Sequence, residues 1–125
     1  MIVVDASALV DAFIGVQSAA ARLSGEELHA PHVIDLEVAS ALRRLEATGQ
    51  VHAGDAGRLL RAMEMADLHR HAHRPLLSQI WALRENLSPY DAAYVALASV
   101  LDAPLVTTDR RLAAAPNLPC TVELV

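Results

Sequence analysis

Apolar and polar positions alternate along this chain in short blocks, and the blocks predict strands and helices in turn. Met1–Val4 is a short apolar, β-branched run closed by Asp5, the pattern of a buried strand. Ala6–Phe13 is rich in Ala and Leu and predicts a helix, and Gln17–Leu23 predicts a second, short one broken by Gly25. Leu28–Ala30 predicts a second strand stopped by Pro31. From about Val33 to Thr48, Ile34, Val38, Ala41, Leu42 and Leu45 recur at helical spacing, with Gly49 as terminator. A further helix is expected over about Ala53–Ala66, with Leu59, Leu60 and Met63 inward.

Asp67–His71 predicts a third strand, and Leu76–Leu87 another helix. The segment SPYDAAYVAL at 88–97 carries the signals of a helix start: Ser88 as N-cap, Pro89 in the first helical position, Asp91 three residues after the cap. Pro104 ends that helix. Leu105–Thr107 predicts a fourth strand, Asp109–Ala115 a helical turn and Thr121–Leu124 a last strand. Short apolar strands alternating with helices indicate an α/β/α sandwich around a mostly parallel sheet. Strand C-termini then share one edge, where ligands bind in such folds.

Composition narrows the classes. The 125 residues suit a single domain over 1–125, and 54 % of them are hydrophobic, enough for a core without disulfides. The longest nearly apolar stretch, Ala92–Leu101, is about half of the roughly 20 residues a membrane span needs, so no membrane association is expected. The first residues lack the basic region of a signal peptide, and Cys120 is the only cysteine, so a cytoplasmic setting is expected. Cys120 reads as a small core residue. Net charge is −5, and all ten basic residues are arginine. An acidic balance argues against a protein that passively coats nucleic acid, but not against an enzyme that cuts it.

Four carboxylates stand out by position. Asp5 follows the first strand and Asp109 the fourth, so both emerge at one sheet edge. Asp91 lies in the first turn of its helix, and Glu37 borders the apolar stripe of its own. Each has a bland reading alone: turn residue, helix cap, capping-box partner of Ser88, or snorkelling surface acid. Together they are harder to dismiss. Clustered carboxylates repel one another and need a compensating charge. Without lysine, arginine or a bound cation must supply it, and an all-oxygen set suits Mg2+, with Mn2+ as an alternative.

VVDASALVD at 3–11, APHVIDLEVASAL at 30–42, LSPYDAAYVALA at 87–98 and PLVTTDRRLA at 104–113 stand in the order and spacing of a known family. The chain resembles the PIN-domain ribonucleases of the VapC toxin type over essentially its whole length. The resemblance implies a metal-dependent endoribonuclease, the toxin of a type II toxin–antitoxin pair, that leaves a 5′-phosphate and a 3′-hydroxyl. It carries over Asp5, Glu37, Asp91 and Asp109 as the catalytic acids. Asp5 and Asp91 are expected as direct metal ligands, Asp109 as a ligand directly or through water, and Glu37 as the group that positions or deprotonates water or holds a second ion. Ser7 and Thr107 match small hydroxyl residues that orient the acids. A small antitoxin is the expected protein partner, laid in an apolar groove between the helices at about 33–48 and 53–66, and homodimerisation is expected with it.

Arg43, Arg44, Arg110 and Arg111 flank the acidic segments and are candidates for RNA phosphate contact, with surface ion pairing as the equal alternative. His69, His71 and His73 would share one face of a strand, yet lack a fourth ligand to converge on an ion; a solvated connection or RNA contact is the favoured reading. Asp35 reads as surface, Asp11 as exposed, and Trp81 and Tyr94 as core or interface.

Other enzymes that place an Asp after a first strand fit less well. A haloacid-dehalogenase-type phosphatase needs a second acid where Ser7 stands, and it uses a lysine, as does a receiver domain. P-loop and dinucleotide-binding glycine motifs are absent. The remaining alternative is a catalytically silent PIN-type scaffold that binds protein or RNA, against which the complete acid set weighs.

Overall fold

A computed structural model describes residues 1–125. Its sheet has five strands: β1 (Ile2–Val4), β2 (Leu28–Pro31), β3 (Leu68–His71), β4 (Leu105–Thr107) and β5 (Val122–Leu124). They lie in the order β3-β2-β1-β4-β5. Every pairing is parallel, so the sheet is wholly rather than mostly parallel. Parallel strands require crossover connections, and the helices supply them. These are α1 (Ala6–Phe13), α2 (Gln17–Leu23), α3 (Ile34–Ala47), α4 (Ala53–Met65), α5 (Leu77–Ala82), α6 (Pro89–Leu101) and α7 (Arg110–Ala113). α1 packs on α2 and α3, and α3 on α4; α5 packs on α6, which lies across β1, β2 and β4. The result is the expected α/β/α sandwich.

The core is centred on β1, β4 and α6. Val3, Val4, Leu105 and Val106 are fully buried, and so is the run Ala92–Ala98. Burying each large aliphatic side chain contributes about 1.5–3 kcal/mol. α6 is apolar on every side because it has no solvent face except at its ends, which is how such a helix must pack. Ser88 Oγ accepts the Asp91 N–H at 3.2 Å, and Pro89 opens the first turn. The helix ends at Leu101, three residues before the expected Pro104: Asp102 takes the left-handed conformation, φ 50°, as C-cap.

Two expectations, the single helix over Leu76–Leu87 and the inward Leu60, need correction, and the readings of Trp81 and Asp35 are narrowed. The region Leu76–Leu87 is not one helix but a 3-10 turn at Arg74–Leu76, the short α5, and turns to Leu87. Trp81 on α5 is 67 % exposed, so its apolar bulk packs no core within this chain. Leu60 is 41 % exposed, since α4 packs chiefly on α3 and fully buries only the narrow stripe of Ala56 and Met63. Asp35 is on the surface but engaged: Arg70 of β3 holds both its oxygens, at 2.8 and 2.9 Å.

Candidate active site

The right-handed crossovers bring the ends of β1 and β4 and the first turns of α3 and α6 to one sheet edge. Asp5, Glu37, Asp91 and Asp109 line a single cleft of about 210 Å³ there, with Ser7, Ser40, Arg44 and Tyr94. The four acids come from four different elements, so only the tertiary fold assembles them.

Asp5 is the most deeply set, 7 % exposed. It is the N-cap of α1 and accepts the Ala8 N–H at 2.9 Å on Oδ1. Ser7 Oγ donates to the same oxygen at 2.6 Å, and Thr107 Oγ1 donates to Oδ2 at 2.5 Å. A carboxylate has about four lone-pair sites, so three are filled and one, on Oδ2, is left. Burial pushes the Asp5 carboxyl above the ordinary value; the Ala8 amide and the two hydroxyls oppose this, and the Asp91 charge adds to it.

The two hydroxyls also tie the strand ends together. Ser7 Oγ accepts the Thr108 N–H at 3.1 Å, and Thr107 Oγ1 accepts the Asp109 N–H at 2.9 Å. Thr107 is completely buried. Both therefore orient Asp5 while fixing the start of the Asp109 turn. Asp109 itself caps α7: its Oδ1 accepts the N–H groups of Arg111 and Leu112 at 2.9 and 3.2 Å. The capping reading holds for this residue, and its other oxygen is the one nearer Arg111, at 3.8 Å.

Glu37 is held by Tyr94, a residue that the sequence suggests only as core or interface. Tyr94 is buried on α6, and its hydroxyl donates to Glu37 Oε1 at 2.8 Å. Burial raises the Glu37 carboxyl, the Tyr94 hydroxyl opposes, and the charges of Asp91 and Asp5 raise it further. The Tyr94 phenol is pushed well above its ordinary value by burial first and by Glu37 second, so it stays a donor at any working pH. Its place one turn after Asp91 on α6 is the signal that could have found it.

Asp91 is raised by burial first and by Asp109 second, with Arg111 opposing. Arg111 Nη2 stands 3.7 Å from Asp91, but its side chain is 84 % exposed and the contact is loose. The four arginines separate. Arg44 lines the cleft and Arg111 stands at its rim. Arg110 is exposed at the start of α7, and Arg43 faces a different groove, between α3 and α4, with Glu46, Ala53 and Leu60. Of the three histidines, His69 and His71 lie on β3, whereas His73 lines an apolar cleft with Val33, Leu77 and Tyr90.

Three carboxyls raised together mark a site short of positive charge. The donors are all oxygen, the chain has no lysine, and the nearest arginine is solvated. That set fits a hard divalent cation of the Mg2+ class and does not fit a soft or nitrogen-preferring ion.

The sequence profile described as PIN domain matches residues 2–118. The chain is 46 % identical over 128 aligned residues to Ribonuclease VapC1 of Mycobacterium tuberculosis, covering 98 % of this chain and 96 % of that one. It is 42 % identical to Ribonuclease VapC9 of the same organism, covering 100 % and 98 %. Among solved structures it is similar to PAE2754 of Pyrobaculum aerophilum, with TM-score 0.72 and 27 % identity over 96 % of this chain and 81 % of that one. It also shares the fold of a chain from a toxin–antitoxin complex of Klebsiella pneumoniae, with TM-score 0.69 and 19 % identity over 97 % and 99 %.

Proposed function

The chain belongs to the PIN domain family, and from that premise we propose that it is a Mg2+-dependent endoribonuclease, the toxin of a type II toxin–antitoxin pair. The observation that carries the reading is the convergence of Asp5, Glu37, Asp91 and Asp109 on one cleft that lacks a buried counter-charge.

Asp5, through the free site on Oδ2, and Asp91 would hold the cation directly, with Asp109 reaching it directly or through water. When bound, the cation supplies an acidified water and neutralises phosphoryl oxygens at neutral pH. The chain's own residues do the rest. Ser7, Thr107 and the Ala8 amide fix Asp5, so the ligand geometry costs no reorganisation when substrate arrives. Glu37, clamped by Tyr94 and more basic than an ordinary carboxylate, takes the proton of the attacking water. Arg44 in the cleft and Arg111 at its rim would bind phosphates of the RNA. Arg110 serves as an outlying contact, and Arg43 is assigned to the protein partner instead.

That partner is a small antitoxin. The groove between α3 and α4, about 270 Å³ and lined by Ala39, Leu42, Ala56 and Leu60, would take the apolar face of an amphipathic segment, with Arg43 and Glu46 at its edge. The exposed Leu36, Met65 and Trp81 would be covered in the same assembly or in a homodimer. The test is cleavage of RNA by the purified chain across a Mg2+ titration in EDTA-treated buffer, with Asp5→Asn beside it. Cation-dependent turnover lost in the variant supports the reading. RNA binding without turnover would replace it with a silent scaffold.

A further inference from the structure

A second cluster of ligating side chains lies apart from the acids, on the flank of the sheet formed by β2 and β3. β2 and β3 pair in register with His29 against His69. Glu27 precedes His29 by two residues and so shares its face. The rings of His29 and His69 stack at 4.6 Å, 17° from parallel. His29 Nε2 is 2.9 Å from Glu27 Oε1, and His69 Nε2 is 3.8 Å from the same oxygen. One ligand atom from each of the three residues lies within 4.8 Å of the others.

We propose that Glu27, His29 and His69 form a binding site for a borderline transition-metal cation of the Zn2+ class, separate from the acidic cleft. The choice of ion follows from the donors: two imidazoles and a carboxylate favour Zn2+, Co2+ or Ni2+ and disfavour Mg2+. The proton now shared between His29 Nε2 and Glu27 is the one the ion displaces. That proton moves to His29 Nδ1, which donates it to His71 Nε2 2.8 Å away, and His71 in turn carries its own proton on Nδ1. That contact fixes tautomer and ring orientation, as outer partners of metal-bound histidines do.

Mobility is distributed as such a site requires. His29 is buried and fixed, whereas the side chains of His69 and Glu27 are 54 % and 58 % exposed. In a tetrahedral site with bonds of about 2.0–2.2 Å, ligand atoms stand roughly 3.3–3.5 Å apart, so Glu27 has to open by about half an ångström from its 2.9 Å contact with His29, and His69 has to close in from its 3.8 Å distance to Glu27. Three protein ligands leave a position for water. The consequence is mechanical: β3 is an edge strand whose only sheet neighbour is β2, and the ion would clamp the two.

The test is calorimetric titration of Zn2+ into the metal-stripped full chain in saturating Mg2+, which occupies the acidic cleft. Wild type is expected to bind one equivalent, with a rise in melting temperature. Glu27→Gln and His69→Ala, both at exposed side chains, are expected to weaken binding at least about tenfold and to abolish the thermal shift. Asp91→Asn is expected to retain both. No Zn2+ binding by wild type, unchanged affinity in the two site variants, or loss in Asp91→Asn would overturn the site. None of these outcomes depends on whether the chain cleaves RNA.

Discussion

The acidic cleft sits at the ends of the inner strands β1 and β4 and the His–Glu cluster on the flank formed by β2 and β3, and they treat buried polarity in opposite ways. In the cluster, each ring nitrogen of His29 has a partner, Glu27 on one side and His71 on the other. Contact with His29 holds the Glu27 carboxyl below the ordinary range. The cluster is content without an ion. In the cleft, Asp5, Glu37 and Asp91 are all pushed upward, by burial and by one another. The difference teaches which site is short of positive charge: carboxylates that only accept cannot satisfy each other, whereas imidazoles that donate and accept can.

The contrast breaks most sharply if an acid proves dispensable. Asp91→Asn is expected to cut Mg2+-dependent RNA cleavage by roughly a thousandfold or more, several kcal/mol of transition-state stabilisation. His69→Ala, measured in the same assay without Zn2+, should leave it unchanged. Glu37→Gln is expected to cost about 10²–10⁴-fold, the range of a lost general base. Tyr94→Phe and Thr107→Val remove only outer partners of Glu37 and Asp5 and should cost about 10–100-fold in rate or cation affinity.

Stability sharpens the comparison from the other side. Asp91→Asn removes a crowded, half-buried charge and should stabilise the metal-free chain at neutral pH by about 0.5–1 kcal/mol, a few degrees in melting temperature. The same variant should lose the thermal shift expected of wild type with Mg2+. The pH dependence carries the same sign. Carboxyls whose folded values are raised favour the fold most below their unfolded values, about 4, and that contribution is lost as pH rises through the folded values. In EDTA, the contribution of these three groups to the melting temperature therefore falls across that window. Mg2+ binds only the ionised forms, so the shift it produces grows from about pH 4 upward. Differential scanning fluorimetry with and without Mg2+ reads both.

Much of this was legible in the chain before folding. β1, α1 and α3 fell within a residue or so of expectation because caps, glycines and apolar periodicity agreed locally. α5 did not, since Leu77 and Trp81 supplied a helical pattern whose apolar face points outward. The acids could be singled out because each sits at a strand end or in a helix's first turn. What joins them could not. Tyr94 reaches Glu37 across 57 residues, and Thr107 reaches Asp5 across 102. The histidine cluster eluded the sequence for the same reason. His69 and His71 lacked partners in their own segment, and the parallel register with β2 provides them in Glu27 and His29.

The most direct test of the central claim is the rate of RNA cleavage against Mg2+ concentration for wild type and Asp91→Asn at neutral pH. The account predicts no turnover in EDTA, saturable turnover for wild type, and a variant that stays folded yet stays silent at every concentration. Cleavage in EDTA, or a variant as active as wild type, would contradict it.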